Sequence, residues 1–151
     1  MDVSRILPDL QSSLVCEDIR QETSGNFILI GVVGFLRVPK IPITAFRLCI
    51  FNRWTAGVGQ FLEEVRLIAP DQVTVIRKAQ VKFQLKDASH HATNVSVLGQ
   101  IEFKQPGVYF IEVVVDDVMK LRYPFPVVVV QQQQGPEGGA PNPGDNPQPT
   151  S

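Results

Sequence analysis

The chain has 151 residues, with 14 Lys and Arg against 15 Asp and Glu. A net charge of −1 excludes gripping nucleic acid by bulk charge, because neutralising phosphates requires clustered Lys and Arg. Apolar residues make up 44% of the chain, enough for one core, and the length fits one domain.

Met1-Asp2-Val3-Ser4-Arg5 lacks the basic start and apolar stretch of a secretory signal. No apolar run approaches the roughly 18 residues that span a bilayer. A cytoplasmic protein without a membrane partner is expected. The body then shows a period of two, the mark of strands. The first strand is expected at about 12–20 and the second at 26–36, opened by the turn Ser24-Gly25-Asn26. The continuous apolar run Phe27–Val33 suits a central strand covered on both faces. Pro39 and Pro42 bracket a connection that no central strand tolerates, and a third strand follows at 43–52.

Asn52-Arg53-Trp54-Thr55 is expected to be a loop holding the chain's one Trp. Trp and Arg are enriched at binding hot spots, so Arg53 and Trp54 form a candidate recognition loop if exposed; otherwise Trp54 caps the core. Ala56-Gly57-Val58-Gly59 lacks the Lys-Ser/Thr pair or helix start of a phosphate cradle, and reads as a hairpin connection. Strands are expected at 61–69 and 73–86, the latter with the clean alternation Val81-Lys82-Phe83-Gln84-Leu85-Lys86. Adjacent His90 and His91 follow in a loop. Neighbours on extended chain point apart, and no third ligand stands at metal-site spacing. Strands at 93–103, 107–115 and 118–130 complete the body, the last two joined by an Asp116-Asp117 turn. Pro124 and Pro126 put the last strand at an edge or at a change of sheet.

Residues 131–151 change character, with five Pro, four Gly and a run of Gln. Such a segment cannot bury enough apolar area to offset the entropy of ordering, so a disordered tail is expected. The body, residues 1–130, is then a single domain. About eight short strands without a helical stripe define an all-β fold, an immunoglobulin-like or related antiparallel β-sandwich.

The chemistry is sparse. Glu17-Asp18 and Glu63-Glu64 are strand neighbours whose side chains diverge. No G-x-S-x-G elbow surrounds Ser12, Ser13 or Ser96. Cys16 and Cys49 form no C-x-x-C or metal spacing and read as small buried hydrophobes; a disulfide would need an oxidising compartment, which nothing in the sequence supports. No catalytic, cofactor-binding or metal residue is assigned, and a non-enzyme is expected.

Leu14-Val15-Cys16-Glu17-Asp18, the run Gly25–Val32, Glu64–Asp71, Pro106-Gly107-Val108-Tyr109-Phe110 and Val115-Asp116-Asp117 together resemble a family of small bacterial proteins of unknown function. The resemblance covers most of residues 10–130. It implies one β-sandwich in a bacterial cytoplasm and brings no catalytic residues with it. The expected function is a non-enzymatic interaction or structural module. Its partner is another protein or a second copy of itself. The alternative is a sandwich that binds carbohydrate or lipid through the Trp54 loop.

Overall fold

Alternating side chains build the protein. The computed structural model describes residues 5–131, which hold nine strands and no helix. The tail expected at 131–151 lies outside the described residues except for Gln131. In chain order the strands are β1 (Asp9–Gln21), β2 (Phe27–Val32), β3 (Leu36–Val38), β4 (Ile43–Thr55), β5 (Gly59–Ile68), β6 (Val75–Leu85), β7 (His91–Phe103), β8 (Gly107–Val115) and β9 (Val118–Val129).

Two sheets share one core. The first has the order β2-β1-β4-β7 and is antiparallel throughout. The second has the order β3-β9-β8-β5-β6, antiparallel except for the parallel pair β3–β9. Val15, Leu48, Ile50 and Leu98 of the first sheet meet Val65, Leu67, Ile111, Val113 and Phe125 of the second. Burying such side chains is worth about 1.5–3 kcal/mol each, and this supplies the main drive to fold.

The expected second strand, 26–36, is two elements. The ladder with β1 ends at Val32, and Leu36–Val38 pairs with Val127–Val129 of the opposite sheet. The strand count is therefore nine, and the pairing is not wholly antiparallel. The run Phe27–Val33 was also expected to be covered on both faces. Instead β2 is the edge of its sheet, and Ile28, Ile30 and Val32 are exposed. The other continuous run, Tyr109–Val115, is central as expected, because β8 lies between β9 and β5.

β9 is interior to its sheet yet carries Pro124 and Pro126. β3 covers β9 only from Val127 to Val129, so both prolines sit where one side of β9 has no neighbour strand among the described residues. A missing N–H costs nothing on that side.

A kink closes the far side. On β4 the core-facing residues change from Ile43 and Ala45 to Leu48 and Ile50. On β7 they change from Leu98 to Ile101 and Phe103. Gln100, at the centre of this switch, has φ 51°. The distortion is answered from the other sheet: the Arg77 guanidinium on β6 donates to the carbonyls of Gly99 and Gln100.

Candidate functional site

The expected recognition loop is a strand. Arg53 and Trp54 lie inside β4, opposite Thr93 and Ala92 of β7. As strand neighbours they face opposite sides. Arg53 is half-buried on the outer face, donating to Thr93 Oγ1 at 3.0 Å, with its guanidinium 5.6 Å from the Phe51 ring centre. Trp54 is 0% exposed and stacks on Phe83 with ring centres 5.6 Å apart. It caps the core from inside and offers no surface to a sugar or lipid, so recognition through an exposed Trp54 is overturned. The polar letters of Asn52-Arg53 suggested a loop, but Asn52 is itself a buried inward residue.

The reason is Glu63. Phe61, Glu63, Val65 and Leu67 are the inward positions of β5, so alternation drives a carboxyl group into the core. It is 0% exposed. Trp54 Nε1 donates to its Oε1 at 2.7 Å, Asn94 Nδ2 to Oε1 at 2.8 Å, and Asn52 Nδ2 to Oε2 at 3.1 Å. Asn52 and Asn94 are register partners on β4 and β7, so the first sheet presents both amides to one residue of the second. A buried acidic group is stable only when its lone pairs are used, and three N–H donors use them. All four residues are buried, so this carboxyl group does not face solvent. Its effect is to fix the position of β5 against β4 and β7. Glu64 points the other way, to Arg66 and Gln80.

His90 closes a turn, its N–H donating to the Asp87 carbonyl, and exposed His91 opens β7. Among the described residues no three His, Cys, Asp or Glu are placed to hold a metal ion. Gly57 belongs to a tight connection and not to a ligand loop. A Cβ there would meet Pro8 Cα at 2.7 Å and the Ile6 carbonyl at 2.9 Å, because Ile6 bridges to Val58. Asp116 and Asp117, both at positive φ, form the expected turn, and Asp116 also pairs with Arg5.

A broad concavity opens where the chain crosses between sheets. Glu17, residues 32–38, Ile43, Ala45, Arg47 and Leu48 line a cleft of about 700 Å³. That volume is in the range of ligand and docking clefts. Its apolar wall includes exposed Phe35, with the Arg37 guanidinium 4.8 Å from the ring centre. At its rim Asp18 accepts from Arg47 at 2.7 Å and from Arg20 at 3.1 Å. The Arg20 hydrogen bond, with the Ile19 N–H and the Arg47 charge, holds the Asp18 carboxyl below the usual aspartate value.

Beside the cleft runs β2. Its six residues, Phe-Ile-Leu-Ile-Gly-Val, carry no charge and no Pro. One side pairs with β1, and among the described residues the other has no neighbour strand. The first sheet's other edge, β7, lies against β6 of the second sheet through the Arg77 contacts. On the second sheet's edges, β6 carries Arg77, Lys78 and Lys82, and β3 carries Arg37 and precedes Pro39. Charge and Pro are the usual guards of an open edge, and β2 has neither.

These features define an all-β protein of two sheets around one core, with a sealed polar cluster inside and an unguarded apolar edge outside. The chain belongs to DUF6941, a family of unknown function whose profile matches residues 11–128. No curated protein matches the chain.

Proposed function

We propose that the protein is a non-enzymatic interaction module of immunoglobulin-like fold that docks through β2 to a second copy of itself. The fold reading draws on strand order. β1, β4 and β7 neighbour one another as strands A, B and E of that fold do, and β5, β8 and β9 as C, F and G do. Tyr109 adds to it: at the crossing from β7 to β8 its hydroxyl donates to the Gln105 carbonyl at 2.6 Å, the pattern of a tyrosine corner.

The observation that carries the docking is the uncharged β2 edge with Ile28, Ile30 and Val32 exposed, the latter at 57%. An open strand of this kind recruits another strand by main-chain hydrogen bonds. A two-fold axis through Leu29 sets Ile28 of one copy against Ile30 of the other. Backbone groups and apolar faces then match without any other partner. A partner other than nucleic acid accords with the near-neutral charge, and a cytoplasmic setting belongs to the same proposal.

Light scattering over a range of concentrations tests this. The expected result is a dimer that Ile30→Lys converts to a monomer with an unchanged circular dichroism spectrum. A wild-type monomer at every concentration, or a dimer indifferent to Ile30→Lys, would falsify the docking mode.

A further inference from the structure

The chain's two cysteines are 33 positions apart in sequence, yet the fold makes them neighbours. Cys16 on β1 and Cys49 on β4 are register partners in an antiparallel pair. Residues opposed in this way point to the same face of the sheet, with Cα atoms about 4.5–5.5 Å apart. A disulfide needs Cα atoms about 4.4–6.8 Å apart. Both thiols are free, and both are buried. Cys49 Sγ lies 3.8 Å from the Glu17 carbonyl oxygen, to which it donates. Glu17 itself lines the cleft.

We propose that Cys16 and Cys49 are a reversible redox modification site, at which exchange with a low-molecular-weight disulfide such as oxidised glutathione links β1 to β4. One cysteine thiolate attacks the external disulfide, forms a mixed disulfide and expels one thiolate. The second cysteine attacks the protein-bound sulfur of that mixed disulfide and expels the other. The two protein thiols lose two electrons and two protons, and the external disulfide gains both as two thiols.

Access runs through β2. Val32, the register partner of Cys16, ends the β1–β2 ladder and is exposed. Fraying at this end of β2, which also carries the Val33 N–H bond to the Val15 carbonyl, is the route by which Cys16 would be reached. Edge segments with few buried contacts are the ones that open at low cost. Burial pushes both thiols above the ordinary cysteine value, so they are unreactive while the ladder is closed.

The test uses the whole chain. Reduced, unfolded protein is refolded to equilibrium in glutathione buffers of increasing oxidising strength, and is then mapped by mass spectrometry and circular dichroism. The expected product is natively folded protein whose chain is lighter by the two hydrogens lost, with the Cys16 and Cys49 peptides linked. Dithiothreitol should reverse the link, and Cys16→Ala and Cys49→Ala should each abolish it. Native protein that keeps both thiols free in the most oxidising buffer would overturn the proposal. So would glutathione adducts in place of the link, or a linked species without the native spectrum.

Discussion

Replacing Glu63 with leucine removes the acceptor that Trp54, Asn52 and Asn94 share, while filling a similar volume. Three N–H donors would then be buried without partners, since all four residues are shielded from water. Each orphaned donor costs about 1–3 kcal/mol, and relief from burying the carboxyl group returns part of that. Three orphaned donors, less that relief, leave a net loss of about 3–5 kcal/mol expected for Glu63→Leu. A domain of this size has about 5–15 kcal/mol in total, so about a fifth or more of its stability is at stake. Glu63→Gln should behave quite differently. Its carbonyl still accepts from Trp54 and Asn94, and its new NH₂ group replaces Oε2 opposite Asn52. Asn52 Oδ1 is buried and has no hydrogen-bond partner, so half a turn of that amide brings an acceptor to the new donor. The Gln variant should lie within about 1 kcal/mol of wild type. Urea unfolding followed by Trp54 fluorescence reads both. At a slope of about 1–3 kcal/mol per molar, the Leu variant's midpoint should fall by at least about 1 M. Equal stability of the Leu and Gln variants would refute the reasoning, because donor satisfaction would then not be what Glu63 contributes.

Arg77→Ala removes two charge-assisted hydrogen bonds to the carbonyls at the β7 kink and should cost about 1.5–3 kcal/mol in urea unfolding, nearer the lower end for a half-exposed group. Gly57→Ala forces a methyl against the backbone at Pro8 and Ile6. It should cost about 1–3 kcal/mol and speed limited proteolysis of the segment preceding β1. Tyr123 is pushed up to about 12, chiefly by burial, with the Ser13 hydrogen bond acting the other way. Because its folded value lies above the ordinary 10.0, its contribution to stability is complete below pH 10 and is lost as pH rises towards 12. Alkaline ultraviolet titration should show this tyrosine ionising well after an unfolded one, and a normal midpoint would contradict the burial.

Strand positions were legible wherever alternation met a turn. The hairpin of Gly107–Val115 and Val118–Val129 was placed to within a residue, because Pro106-Gly107 and Asp116-Asp117 punctuate it. Phe27–Val33 was misread because an apolar run has the same letters whether it is covered or merely uncharged. Only the sheet order reveals β2 as an edge. Trp54 was misplaced because Asn52 looks like loop chemistry, although polar groups with partners sit comfortably inside. The partner was in view: Glu63 falls in phase with Phe61, Val65 and Leu67, and an acidic residue in an inward phase announces a buried network. Cys16 and Cys49 lay beyond reach. Their pairing depends on the offset between two strands, which no local pattern encodes.

The short parallel strand β3 sets the order of events during synthesis. Leu36 leaves the ribosome about 90 residues before its partner Val127, a wait of roughly 5–20 s at about 5–20 residues per second. The β1–β2 hairpin can close at once, but the sheet-to-sheet suture is the last long-range contact available. For that interval the unguarded edge of β2 and both thiols are exposed together on an unfinished chain. Aggregation and cysteine oxidation should therefore be most frequent in nascent protein, and a chaperone acting on this domain would find its exposed apolar edge on the β1–β2 hairpin.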